Sequence, residues 1–245
     1  MQSTGAVPQR LARPIALGGL LFFVEALIYF VYRYAVVFGR ELTGTSDPRA
    51  IVVDVTLFTV FALHHSLFAR DTIRKRITRS VGVLERSTYV WLASALFIAV
   101  CAWWQPVAGA MWRIDEPAAA WLLRAAQLVG VWLTLRSALM IDFLELAGLR
   151  QVDDRQAVRS NLGDPATFKT SGPYGWVRHP IYAGWFLLVF AVPSMTMTRF
   201  VFAVTSSLYL LIAIPFEERS LRSSSAGAYE QYMKQVRWKL LPHVF

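Results

Sequence analysis

Six apolar runs dominate this chain of 245 residues, covering roughly 14–38, 51–69, 89–112, 118–146, 176–193 and 200–216. A helix rises 1.5 Å per residue, so about 20 apolar residues cross the hydrocarbon of a bilayer. The composition agrees. Of all residues 56% are hydrophobic and 17% charged, against about 45–50% and about 25% in a soluble domain. Aromatic residues make up 14%, with nine Trp, as suits rings placed at membrane interfaces. The expected fold is all-α: a multi-pass transmembrane helical bundle forming a single integral membrane domain over 1–245. Four transmembrane helices occupy 1–146. A connector, a helical hairpin and a C-terminal tail occupy 147–245. The first run is too long for the apolar core of a signal peptide and reads as a membrane span.

The net charge of +9 would suggest nucleic acid in a soluble protein. Here the cations lie in short loops, so they read as topology and lipid signals, with no nucleic-acid partner. Arg70, Arg74, Lys75, Arg76, Arg79 and Arg86 follow the second run. Arg150, Arg155, Arg159, Lys169 and Arg178 follow the fourth, and Arg219, Arg222, Lys234, Arg237 and Lys239 lie in the tail. The opposite loops balance Arg40, Arg49 and Arg113 with Glu41, Asp47, Asp115 and Glu116. The positive-inside rule then places both termini in the cytoplasm. An even number of crossings requires the same.

The single cysteine, Cys101, lies within an apolar run and reads as packing. No intrachain disulfide can form, and no metal site is expected. His64 and His65 are adjacent on the second run. Side chains one residue apart point about 100° apart on a helix, so the two cannot easily share a metal. They read as a polar contact between helices, as part of an acceptor pocket, or as a haem or quinone ligand. Glu25, Arg136, Asp142 and Glu145 lie in or near the runs, where ionisable groups mark functional sites unless they snorkel to the interface.

The richest chemistry lies in Gly172-Pro-Tyr-Gly-Trp-Val-Arg-His-Pro-Ile-Tyr-Ala-Gly184. Pro180 suits the first turn of a helix and forces His179 to the cap. Arg178 and His179 then stand at a helix N-terminus, where free N–H groups attract an anion. The last run ends Pro215-Phe-Glu-Glu-Arg219, and Glu217 and Glu218 are expected at that helix's negative C-terminus. The hairpin would bring the two ends together as a dipolar site. Such a site suits a ligand with a carboxylate, a cation and a diol, with Trp176, Tyr174 or Tyr182 over an adenine ring. S-adenosylmethionine has these groups. In the tail, Tyr229, Tyr232, Met233, Val236 and Leu240 follow helical spacing. They predict an amphipathic interfacial helix lying over the hairpin as a lid.

Gly172-Pro-Tyr…Val-Arg-His-Pro-Ile-Tyr-Ala-Gly, then Glu217-Glu218, then Gly227-x-Tyr229-x-x-Tyr232…Leu241-Pro242 resembles the isoprenylcysteine carboxyl methyltransferase and phospholipid methyltransferase superfamily, over about 170–243. His65-Ser-Leu-Phe-Ala-Arg70, Glu85-Arg-Ser-Thr-Tyr-Val90 and Gly148-Leu-Arg-Gln-Val152 are similar to its NnrU-like branch, including the bacterial methanethiol S-methyltransferases. The resemblance implies S-adenosylmethionine as cofactor and carries over Arg178, His179, Tyr182, Glu217 and Glu218; Tyr174, Val177 and Tyr229 are further cofactor-binding candidates. Catalytic roles are expected for His179, Arg178 and Glu217: Arg178 would favour the thiolate, and either His179 or a glutamate would take the proton.

Animal prenylcysteine enzymes carry further Arg and Glu residues inside the last membrane helix, whereas Leu208 to Phe216 holds no charge here. A small lipophilic thiol needs no cationic partner there, and a carboxylate acceptor would. The expected activity is therefore S-methylation of a small thiol such as methanethiol. The alternatives are carboxyl or phospholipid methylation, or a non-enzymatic NnrU-like membrane accessory role. No GxGxxG follows a strand, which sets aside a Rossmann nucleotide site.

Overall fold

A computed structural model describes residues 9–68, 84–141 and 170–245. The elements, in order, are α1 (Gln9–Tyr32) with a π-helical turn (Arg33–Val37), α2 (Pro48–Phe68), α3 (Glu85–Trp103), β1 (Ala110–Arg113), α4 (Pro117–Met140), α5 (Pro173–Trp176), α6 (Pro180–Phe190), β2 (Ser194–Thr196), α7 (Met197–Ser224) and α8 (Ala228–Gln235). Among the described residues five stretches are long and apolar enough to cross a membrane: Leu11–Val37, Pro48–Phe68, Glu85–Trp103, Pro117–Met140 and Met197–Ser224. Their outward faces carry large apolar side chains, with Leu21 70% and Leu122 72% exposed. Lipid is the solvent that makes such faces stable, and the chain is an all-α integral membrane protein. The basic loop after the second run as far as residue 83, Asp142, Glu145 and the motif 148–152 lie outside the described residues.

The chain forms two compact units, one holding α1, α2 and α3, the other β1, α4 to α8 and β2. In the first, Gly18 and Gly19 let the Trp91 indole lie against α1, where an added Cβ would meet it at 3.0 Å. Trp91 Nε1 donates to Ile15 O at 3.0 Å. The π-turn lets Arg33 reach across to donate to Ala102 O. Asp54, fully buried, accepts the backbone N–H of Gln105 at 2.6 Å. His65 Nδ1 meets the Tyr89 hydroxyl at 2.7 Å, and the His64 ring stacks against Tyr89.

The second unit is organised by α4 and α6, which run in opposite directions and touch at Gly130 and Gly184. A Cβ on Gly184 would lie 2.7 Å from Gly130 O and 2.8 Å from Thr134 N. Only residues without side chains let the backbones come so close in a membrane. The hairpin expected from 176–193 and 200–216 is present with different bounds. α6 has 11 residues, about 16 Å of rise, and the chain then turns, the Val192 N–H donating to Phe190 O at 2.8 Å, before Pro193. Carbonyls left open at that depth need donors. Gln127 Nε2 donates to Leu188 O at 2.9 Å, and Trp112 Nε1 donates to Val192 O at 3.0 Å.

The run read as 89–112 is a helix only to Trp103. Beyond Pro106 and Gly109 (φ +96°) the chain turns into β1, which pairs antiparallel with β2, Trp112 opposite Met195 and Arg113 opposite Ser194. α7 is longer than the run 200–216. Thr196 Oγ1 caps its start by accepting Arg199 N–H, and it passes through Pro215 to Ser224.

Candidate functional site

α6 begins at Pro180 with His179 as its cap residue, as the Arg-His-Pro spacing predicts. The N–H groups of Arg178 and His179 are not open to an anion. They donate to Trp238 O and Lys239 O, both at 2.9 Å. The tail is helical over Ala228–Gln235 only, and past Val236 it lies beside the segment leading into α6. The helical spacing therefore does not hold at Val236 and Leu240, which lie past the end of the helix. A buried Tyr229–Tyr232–Val236 cluster with Leu221 and Met233 fixes it in place, as does the Tyr232 hydroxyl, which donates to Tyr174 O at 2.8 Å.

Arg178 is buried. Its Nε donates to Glu218 Oε1 at 2.8 Å, and its Nη1 donates to Val236 O at 3.1 Å and Arg237 O at 2.6 Å. Glu217 and Glu218 do not end a helix, because α7 runs on to Ser224. The expectation that they add to a negative helix terminus is corrected accordingly. Neighbours on a helix diverge by about 100°, and the two carboxylates have separate surroundings. Glu218 is buried against Arg178, both side chains 5–6% exposed. Glu217 is 44% exposed, and its Oε2 accepts the Tyr182 hydroxyl at 2.9 Å. His179 lies between them, with Nε2 at 3.3 Å from Glu218 Oε1 and Nδ1 at 3.6 Å from Glu217 Oε2. Its ring stacks on Tyr182, centroids 5.4 Å apart.

The other sequence candidates occupy the same corner. Val177 is buried with Leu133 and Ala183 against Trp238. Tyr174 sits on α5, its phenol pushed upward in pKa by burial and then by the charge of Glu217. Tyr229 is buried, and burial followed by the charge of Glu218 raises its phenol as well. Tyr232 is pushed up to about 12, again chiefly by burial. These phenols stay neutral; the Tyr232 hydroxyl is a donor, and the rings serve as walls. Sequence reasoning missed the carbonyls of Val236, Arg237, Trp238 and Lys239. The available signal was Arg178 itself, since a buried guanidinium has five N–H donors to satisfy.

Arg136 lies exposed on the last turns of α4, and Glu25 is exposed on α1 beside a cavity of about 590 Å³ that includes Tyr29 and Tyr32. Among the described residues no group of three or more His, Cys, Asp or Glu could hold a metal ion.

The model of the isoprenylcysteine carboxyl methyltransferase family matches residues 134–223, from α4 through α7. A methanethiol S-methyltransferase of Crocosphaera subtropica is 35% identical over 234 residues, covering 91% of this chain and 89% of that protein. One of Mycobacterium tuberculosis is 37% identical over 195 residues, 79% of each. Nurim of Xenopus laevis is 33% identical over 181 residues, 70% of this chain and 62% of nurim. No solved structure matches.

Proposed function

Because this chain belongs to the isoprenylcysteine carboxyl methyltransferase family, in the group of the methanethiol S-methyltransferases, we propose that it S-methylates a small lipophilic thiol, such as methanethiol, with S-adenosylmethionine as donor. The chain is an integral membrane methyltransferase and uses a methyl donor. Placement in a bacterial inner membrane with both termini cytoplasmic is part of the proposal; the orientation rests on loop charge and the membrane on the resemblance to bacterial relatives.

The observation that carries the reading is the corner formed by His179, Tyr182, Glu217 and Glu218 at the start of α6. One carboxylate is neutralised and buried while its neighbour stays accessible beside two stacked rings. That chemistry fits S-adenosylmethionine, which offers an ammonium, a sulfonium, a diol and a flat base. Glu217, Tyr182 and His179 would hold it, with Tyr174 and Tyr229 as walls. Arg178 is committed to Glu218 and the tail. It holds the corner together and does not clamp the donor's carboxylate.

When bound, S-adenosylmethionine supplies an electrophilic methyl group on a sulfonium. The residues supply position, dryness and a proton acceptor. A thiol reacts as its thiolate, and a free thiol has a pKa of about 8.5. Glu217 is the exposed base of the cluster and takes the thiol proton. His179 Nδ1, 3.6 Å from Glu217 Oε2, orients it. The tail over Arg178 and His179 keeps water from that side. The absence of charge from Leu208 to Phe216 suits a neutral thiol over a carboxylate acceptor.

Binding of S-adenosylmethionine and its demethylated product is titrated against the detergent-solubilised protein, with His179→Ala alongside. Dimethyl sulfide formed from methanethiol is measured in the headspace. Saturable binding lost in the variant, together with dimethyl sulfide formation, supports the reading. A folded wild-type protein that binds neither compound overturns it.

A further inference from the structure

The end of the second unit opposite His179 holds a cavity of about 480 Å³ whose lining includes Arg113, Asp115, Trp121, Arg124, Pro193 and Ser194. It lies where β1 meets the start of α4, beyond the last residues of α6. Its charges are arranged in an unusual way. Arg113 is consumed by an ion pair with Glu41. Arg124 lies two turns into α4, its guanidinium over the Trp121 ring at 5.1 Å from the centroid. Among the described residues neither Arg124 nor Asp115 has an ion-pair partner. The two line the same cavity and do not meet.

An arginine on a membrane helix is expensive unless it snorkels to a phosphate level or finds an anion. Arg124 is seven residues below Pro117, about 10 Å of helix, so it reaches the headgroup region along its own stem. The Trp121 ring face beneath the guanidinium holds its direction. Asp115 lies above it, outside the helix. Glu116 occupies the helix end by accepting from Ala118 N and Ala119 N, so Asp115 is not needed as a cap. An unpaired cation at phosphate depth and an unpaired carboxylate further out reproduce, with opposite signs, the order of charges in a zwitterionic headgroup.

We propose that this cavity binds the headgroup of an aminophospholipid, Arg124 taking the phosphate and Asp115 the primary ammonium. A trimethylated ammonium has no N–H to give Asp115, and a glycerol headgroup has no cation.

The full-length protein is delipidated in detergent and mixed with phosphatidylethanolamine, phosphatidylcholine or phosphatidylglycerol of identical chains. Retained lipid is counted by native mass spectrometry. Phosphatidylethanolamine should be retained about ten-fold better than either other lipid, a factor equivalent to about 1.4 kcal/mol. Arg124→Ala and Asp115→Asn should each bring it to the level of phosphatidylcholine, with melting temperatures unchanged. Arg124→Gln serves if Arg124→Ala does not fold. Equal retention of the three lipids, a preference for phosphatidylglycerol, or an Arg124→Gln protein that keeps its selectivity overturns the proposal. Displacement of the lipid by millimolar inorganic phosphate would show a free-phosphate site and overturn it too.

Discussion

Replacing Arg178 with alanine should release the tail before it unfolds the protein. Arg178 Nη1 bonds to two tail carbonyls, Val236 O and Arg237 O, and Nε bonds to Glu218. Hydrogen bonds from a charged donor are worth about 1.5–3 kcal/mol each, so the two carbonyl bonds carry about 3–6 kcal/mol. Breaking a buried ion pair from one side costs about 3–5 kcal/mol, because the other charge is stranded. These figures overlap, since both count the same desolvated guanidinium. With both side chains only 5–6% exposed, solvent screening does not reduce them. A loss of about 3–5 kcal/mol at one corner multiplies tail opening by about 10²–10⁴. Hydrogen–deuterium exchange of the peptide containing residues 236–245, and of the Arg178 and His179 amides bonded to Trp238 O and Lys239 O, reads this directly. The double variant Arg178→Leu/Glu218→Leu removes both charges and should melt above either single variant. Its tail should still exchange quickly, because the carbonyls have lost their donor. A protected tail in Arg178→Ala, or a double variant that melts at the sum of the single losses, would refute the reasoning.

Glu217→Gln keeps the shape and the contact with Tyr182 but removes the base. Methyl transfer should fall by about 10²–10⁴-fold, with melting unchanged because Glu217 is 44% exposed. Gly184→Ala forces a Cβ against the backbone at Gly130 O and Thr134 N, so α4 and α6 must separate. A melting loss of about 1–3 kcal/mol is expected, and Gly19→Ala should cost less because only the Trp91 side chain has to move. Glu116 accepts two backbone N–H groups at the start of α4, chiefly that of Ala119, which holds its carboxyl below the usual 4.5. Its cap contribution is present above that ordinary value and lost as pH falls through the lower folded one. The acid limb of a melting-temperature profile should therefore flatten in Glu116→Gln.

Much of this fold is legible in the sequence because a bilayer is an unforgiving solvent. Leu11–Val37, Pro48–Phe68 and Pro117–Met140 stand close to the apolar runs that announce them. The misreadings share one cause, which is that an apolar run reports what lipid covers, and helical hydrogen bonding follows other rules. Met111 and Trp112 are apolar yet belong to β1, beyond the breaks at Pro106 and Gly109. Glu217 and Glu218 are charged yet helical, because α7 leaves the apolar layer without ending. At the site, Arg-His-Pro gave the cap position of His179 from local sterics alone. Arg178 signals that it needs acceptors and does not say which, since Val236 O and Arg237 O are backbone atoms 58 and 59 residues away and have no side-chain signature.

The two adjacent glutamates show why the tail and the chemistry belong to one assembly. Side by side in sequence, they would raise each other's cost as carboxylates. Arg178 resolves this by neutralising Glu218 in the interior, leaving Glu217 as the accessible charge beside Tyr182. His179 touches both carboxylates, so its ring orientation depends on where each is held. Arg178 itself is held by carbonyls of the tail. Freeing the tail would thus loosen Arg178, then Glu218, then the ring of His179, although none of the tail atoms touches Glu217 in these contacts. Donor affinity should consequently weaken in Arg178→Ala even though Arg178 is directed at the protein. If affinity stayed at the wild-type value while the tail exchanged freely, the tail would be a cover alone, and the order of support from tail to Glu217 would be wrong.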